Sequence, residues 1–245
     1  MEHEIWLTRL FNDYLAGLAN TILGLFNIQA HNPARPWENW ITCEIFVVVL
    51  MMILVAFVRN GLSVDKPGKM QHLFEAIWGF LHDNAVDAGI HHPAKYMPFF
   101  GTLFLFVLFC NLIGIIPAFE SPTMFPWVPC GIALAAFFYY NIWGLREQGV
   151  FTYAKHFAGP IPALAPIMVP IEIVSHLARP MSLTIRLFAN MFAGEQVTLA
   201  FLKLTFLIAP AVFMGLHVFV SFLQAYIFAL LTMIYVSGAV AHEEH

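Results

Sequence analysis

Long apolar runs at about 40–58, 97–116, 131–143 and 209–240 leave this chain few folds to choose from. A run of roughly 20 apolar residues is what a helix needs to cross the hydrocarbon of a bilayer. These runs are continuous and do not alternate with a period of two, so they predict membrane helices and not a barrel. Composition agrees. Of 245 residues, 60% are hydrophobic and 11% charged, against about 25% charged in an ordinary soluble domain. Mean hydropathy is +0.75. The 11 Lys and Arg face 15 Asp and Glu with no basic run, which disfavours a soluble enzyme, a nucleic-acid reader and a disordered scaffold together.

The N-terminal segment 5–26 places Leu7, Leu10, Phe11, Tyr14, Leu15, Leu18, Ile22 and Leu25 at helical spacing, interrupted by Arg9, Asp13 and Asn20. That pattern predicts an amphipathic helix lying in the membrane interface. With Glu2 and Glu4 and no basic start, the segment does not read as a cleavable signal peptide. The span at 40–58 opens on Trp37 and Trp40 as interfacial aromatics and closes on Arg59. Residues 59–95 form a polar connection with a second interfacial stripe of Met70, Leu73, Phe74, Ile77, Trp78 and Leu81. Residues 160–202 stay apolar for about twice one crossing, yet contain Glu172, His176, Arg179, Arg186, Asn190 and Glu195. Pro162, Pro166 and Pro170 predict an irregular, kinked start to that helix. Cys43, Cys110 and Cys130 lie in or beside apolar runs and read as buried thiols.

The expected fold is an all-α polytopic membrane protein, with an interfacial N-terminal helix and five membrane helices, the last two a long, tilted hairpin. The loops at 59–95 and 145–156 hold six of the 11 basic residues and 118–130 holds none. By the positive-inside rule the two basic loops are cytoplasmic, the N-terminus outside and the C-terminus inside. Lys203 falls outside in this scheme, where it can snorkel.

Ionisable residues inside membrane helices cost about 2.5–3.5 kcal/mol each on insertion scales, so they are the functional candidates. At about 100° per residue, Glu172, Ser175, Arg179, Ser182 and Asn190 fall within roughly 40° of Arg186. Such a stripe can be satisfied by hydrogen bonds to neighbouring helices. Two arginines on a helix so poor in acids favour a water path or a charged partner instead. Glu195 lies roughly opposite Arg186, and Glu172 lies about 21 Å away along the helix. The counter-charge for Arg186 is therefore expected from another protein. On the last helix His217, Ser221, Gln224 and Tyr235 share a stripe. A hairpin turning near residue 206 sets Glu195 level with His217, and Gln224 near the level of Arg186. The His242–His245 tail and the His91–His92 pair lack metal-ligand spacing, and no phosphate loop or nucleophile elbow is present.

Residues 179–196 run Arg-Pro-Met-Ser-Leu-Thr-Ile-Arg-Leu-Phe-Ala-Asn-Met-Phe-Ala-Gly-Glu-Gln. This resembles the signature helix of subunit a of the rotary F-type ATP synthase. Gln224-Ala-Tyr-Ile-Phe with the terminal Glu-Glu-His resembles the family's last helix. Asn111-Leu-Ile-Gly-Ile-Ile-Pro resembles the end of its second span, and Pro67-Gly-Lys-Met-Gln with Glu75 its first cytoplasmic connection. Ala189 stands where the family commonly has glycine, and 123–129 lacks the family's polar pattern before the third span.

The resemblance implies that Arg186 is the essential charge facing the carboxylate of each passing c-ring subunit. It implies Asn190, Glu195, His217 and Gln224 at a proton inlet, and Glu172, Ser175 and Arg179 at a proton outlet. It further implies a single membrane domain over 1–245: an external or interfacial segment at 1–38, three spans with cytoplasmic loops at 39–158, and a channel hairpin at 159–245 facing the c-ring. The implied partners are the c-ring, the subunit b peripheral stalk, the rest of the ATP synthase and the lipid of a bacterial inner membrane. No cofactor, metal or catalytic chemistry is implied for this chain. Two rival classes are a secondary transporter of an anionic solute, which calls for internal repeats the sequence lacks, and a metalloenzyme using His176, His217 and Glu172.

Overall fold

The computed structural model describes residues 4–25, 32–63, 67–116, 119–150, 153, 165–204 and 208–240. Pro117, Lys66, Lys155, Pro162 and the tail at 241–245 lie outside the described residues. Seven α-helices run along the described chain: α1 (Trp6–Leu25), α2 (Asn39–Asn60), α3 (Lys69–Asp87), α4 (Met97–Ile113), α5 (Trp127–Gln148), α6 (Ala165–Leu204) and α7 (Ile208–Val240). Short 3-10 turns at Pro93–Lys95 and Pro122–Met124 precede α4 and α5.

The helices are built for lipid. On α2 the side chains of Val48, Val49, Leu50, Met52, Ile53, Val55 and Phe57 are exposed, while Thr42, Cys43 and Val47 are buried. That is the reverse of a water-soluble helix and suits a hydrocarbon solvent. α2 and α5 have 22 residues each and α7 has 33, enough to cross a core of about 30 Å at 1.5 Å per residue. These three helices meet length and apolarity together; α4 is apolar but has 17 residues. α6 has 40 residues, or about 60 Å if straight.

α1 shows the same inversion. Leu10, Leu15, Leu18, Ile22 and Leu25 are exposed, and Thr8 and Asn12 are buried. The Thr8 and Thr42 hydroxyls lie 2.7 Å apart, and Asn12 donates to Glu4 at 2.8 Å and accepts from the Trp37 amide at 2.9 Å. Most of the amphipathic stripe seen in the sequence is therefore the helix's free side, available to lipid, while Leu7 is buried beside Cys43 with Phe11 against it, and the polar groups help fasten the helix.

One core joins α3 to α7, with Leu81, Phe100, Phe104, Val107, Tyr140, Leu187, Met191, Phe228 and Met233 buried in it. Ala133, Ala136, Ala225 and Ala229 are also buried there, and small residues let membrane helices approach closely. The tightest approach is at Gly144. A Cβ there would sit 2.6 Å from the Tyr153 ring and 3.1 Å from the Ala239 carbonyl oxygen of α7, so a larger residue would displace the ring and press on α7.

The start of this helix expected around Pro162 lies outside the described residues. α6 is continuous from Ala165 and carries both Pro170 and Pro180 inside it. Pro166 sits in the first turn, where its missing N–H is not needed. Pro180 removes the bond to the His176 carbonyl, and the Thr184 hydroxyl binds the Pro180 carbonyl at 2.8 Å. The helix survives because both neighbours hold it.

Gly144→Ala should force α5 and α7 apart and destabilise the protein by about 1–3 kcal/mol, the usual cost of overpacking. A lowered thermal-unfolding midpoint of the purified protein in detergent checks this; an unchanged midpoint counts against so close a contact.

Candidate functional site

Leu183, Leu187 and Met191 are 3%, 1% and 1% exposed and recur every four residues, so this face of α6 is its seam with the core. Arg186 sits half-buried on the flank of that seam. Met181, Ile185 and Phe192, further round, are exposed. The Arg186 guanidinium donates to the Ser182 hydroxyl at 3.4 Å. Among the described residues no carboxylate forms an ion pair with it. The longest helix thus carries a permanent charge at the edge of the protein with one weak neutral contact.

Two cavities with ionisable residues in otherwise largely apolar walls lie at opposite ends of the α6–α7 pair. The smaller, about 260 Å³, is lined by Tyr153, Glu172, His176, Arg179, Ile234, Tyr235, Gly238 and Ala239. Glu172 and Arg179 are 3.7 Å apart across two turns of α6, and the Arg179 guanidinium lies over the Tyr235 ring at 5.1 Å. The ring of His176 reaches Asn141 of α5, Nε2 to Oδ1, at 2.9 Å, and the Tyr153 hydroxyl donates to the same oxygen at 2.8 Å.

The larger cavity, about 780 Å³, lies between the C-terminal part of α6, the start of α7, α1 and the turn after α4. Glu195, Thr198 and His217 line it together with Glu4, Arg9, Gly114 and Glu120. His217 comes close because position 194 is glycine: a Cβ there would meet Nδ1 at 3.1 Å. Among the described residues, His217 Nε2 and Ser221 Oγ are buried without a hydrogen-bond partner. Beside them runs a buried polar network. Asn111 donates to the Ser221 carbonyl at 3.3 Å and accepts from Thr123 at 2.6 Å, and the Ser121 and Thr123 hydroxyls lie 2.8 Å apart. The Ser121 hydroxyl donates to the Cys110 carbonyl at 2.9 Å.

Arg186 lines neither cavity. It lies about 10 Å beyond Arg179 and about 14 Å short of Glu195 along the helix. Of the residues singled out by sequence, the structure brings Glu172 to Arg179 and sets Glu195 and His217 in the wall of one cavity. Ser175 is exposed and Asn190 half-buried, and neither lines a cavity; Gln224 is buried on α7. The metalloenzyme set does not converge, since Glu172 and His176 line one cavity and His217 the other. Among the described residues no group of three His, Cys, Asp or Glu could hold a metal.

Sequence reasoning passed over Asn141, Tyr153, Glu120 and Glu4, and weighed His176 only as a metal ligand. Asn141 offered a signal, a carboxamide within an otherwise apolar span. Glu120 offered another as the acid of a connection without basic residues. Neither signal says which cavity a side chain joins.

Fold and site together define a polytopic helical membrane protein with two cavities, each walled in part by ionisable residues, set on either side of Arg186 along α6. The family model "ATP synthase A chain" matches residues 41–237. A protein of Solibacter usitatus called ATP synthase subunit a is 61% identical over 96% of this chain and 100% of its own length. Proteins of the same name from Koribacter versatilis and Aquifex aeolicus are 46% identical over 99% of both chains, and 37% identical over 82% of this chain and 97% of the relative. The chain belongs to the ATP synthase A chain family.

Asn111→Leu should remove the acceptor of the buried Thr123 hydroxyl, which keeps only Ser121 as partner, and the amide donor to the Ser221 carbonyl, at a cost of about 0.5–1.5 kcal/mol per bond lost. Thr123→Val with Asn111→Leu removes both ends of one bond and should recover part of that loss. Thermal unfolding of the two variants in detergent reads the difference; equal destabilisation would discount the bond.

Proposed function

We propose that this chain is the proton-conducting subunit beside the c-ring of an ATP synthase, with each cavity the protein end of one aqueous half-channel. The observation that carries the reading is the separation of the two cavities that hold ionisable residues, with Arg186 between them and in neither. A single continuous pore would leak protons. Two offset half-paths pass them only by way of a moving carrier.

The larger cavity is the inlet. Glu195 and His217 meet there, and the orphaned His217 and Ser221 atoms favour water, because a dry buried polar group is costly. Asn190 and Gln224 extend the path toward the ring. A proton taken from the outside neutralises a ring carboxylate. Only the neutral carboxyl enters lipid cheaply, which permits rotation. The smaller cavity is the outlet. Glu172 and Arg179 line it, with Ser175 on the same flank of α6. As the ring carboxyl comes round to Arg186, the guanidinium favours its ionised form and the proton leaves. The same permanent positive charge repels protons between the half-channels. Each charge crossing releases about 2.3 kcal/mol per 100 mV, and this biases the rotation.

Charge supports the orientation. Arg59, Lys69, Lys95 and Arg146 cluster in or beside the loops next to the smaller cavity's end, and Lys95 pairs with Glu147. That end is cytoplasmic by the positive-inside rule, and the Glu195 end faces outside. The ring supplies the carboxylate that Arg186 lacks within this chain, and the subunit b stalk holds the chain against the torque in a bacterial inner membrane. No covalent chemistry falls to this chain.

Arg186→Ala should abolish proton-driven ATP synthesis by the reconstituted complex; synthesis at the wild-type rate would sink the assignment. Glu195→Gln and His217→Ala should each slow proton flux about tenfold or more while the complex still assembles. Unchanged flux in vesicles would remove the residue from the inlet.

A further inference from the structure

His176 is a titratable group at the smaller cavity to which the half-channel reading gives no task. Its surroundings define its chemistry closely. Asn141 donates from Nδ2 to the Phe137 carbonyl at 2.7 Å. A carbonyl only accepts, so the amide nitrogen faces Phe137 and the oxygen faces the histidine. That oxygen also only accepts, and it already receives the Tyr153 hydroxyl at 2.8 Å. Nε2 of His176, 2.9 Å away, therefore carries a hydrogen. In a neutral imidazole this leaves Nδ1 as the one basic nitrogen. The rings of Phe137 and Tyr140, edge-on at 5.1 and 5.4 Å, fix the ring plane.

We infer that His176 is a proton carrier in the wall of the smaller cavity and that Asn141 is the positioning residue that fixes its tautomer. The inference rests on the reading of that cavity as the outlet half-channel. Nδ1 takes a proton from cavity water, which received it from the ring carboxyl, and the imidazole becomes an imidazolium. The Nε2–H bond to Asn141 is unchanged. Nδ1 then returns the proton to water on the cytoplasmic side, so no proton is gained or lost. Imidazole is the side chain whose ordinary charge change falls between about pH 5 and 8, which suits an exchange of this kind. Glu172 of α6 favours the imidazolium and Arg179 of α6 opposes it. Tyr140 of α5, Tyr153 and Tyr235 of α7 are the other titratable groups around it among the described residues.

The test is passive proton conduction by the assembled membrane sector in vesicles, followed against pH on the cytoplasmic side. His176→Gln keeps a donor for Asn141 and cannot carry a proton. It should lower conduction about threefold to tenfold, less than full loss of an acid–base group because Glu172 offers a parallel route, and it should flatten the pH profile between about pH 5 and 8. Asn141→Leu should shift that profile while His176 remains, which a purely structural asparagine would not do. Wild-type conduction and pH profile in both variants overturns the inference; should His176→Gln fail to assemble, the Asn141→Leu profile decides alone. Glu172→Gln separates the two ideas. Reduced flux there with an unaffected His176→Gln overturns the histidine's role only, and unaffected flux there overturns the outlet reading itself.

Discussion

Hydrocarbon cannot solvate a guanidinium or a carboxylate, and α6 carries Glu172, Arg179, Arg186 and Glu195 along one helix of 40 residues. Each of these charges has to be met by something other than lipid. Glu172 and Arg179 meet each other at 3.7 Å. Glu195 opens into a cavity shared with His217. Arg186 alone is answered, among the described residues, by a single hydroxyl. The walls that α1, α4, α5 and α7 provide are arranged around these needs, and the function proposed for the chain is the consequence of leaving Arg186 to a second protein.

The same solvent explains how the rest holds together. With lipid outside, burying apolar side chains gains little, and association rests on close packing and polar contacts. α5 and α7 meet at Gly144, and the buried alanines of α5 and α7 keep the backbones near. Thr8 and Asn12 fasten α1, and Asn111, Thr123 and Ser121 tie the α4–α5 connection to α7. The apolar residues of α1 and α2 point away from the protein for the same reason that those of a soluble helix point in.

Much of this was legible from residue order. Apolar runs locate the helices because hydrocarbon demands length and continuity, and the 3.6-residue period sets Arg186 apart from Glu195. Helix boundaries were less accessible: α5 begins at Trp127 and ends at Gln148, well beyond the apolar run at 131–143, with Val128, Pro129 and Gly144 of these added turns buried against protein. Pro170 and Pro180 both lie inside α6, since a proline's lost hydrogen bond is local while the packing that tolerates it is not. Periodicity also puts Ser175 on the stripe of Glu172 and Arg179, yet its side chain is exposed and outside the cavity. Periodicity gives an angle about one axis and says nothing of where the next helix lies.

The sequence by itself determined that this is a helical membrane chain, which helix bears its charges, and that Arg186 has no counter-charge near it along that helix. These follow from single-segment physics, namely transfer to hydrocarbon and rotation per residue. Only the tertiary structure decided that the polar groups divide between two cavities on either side of Arg186, that Glu120 and Glu4 join Glu195, and that Asn141 and Tyr153 hold His176. Those pairs span up to 191 residues of chain, and α4, α5, α6 and α7 bring them together through contacts that no local pattern encodes.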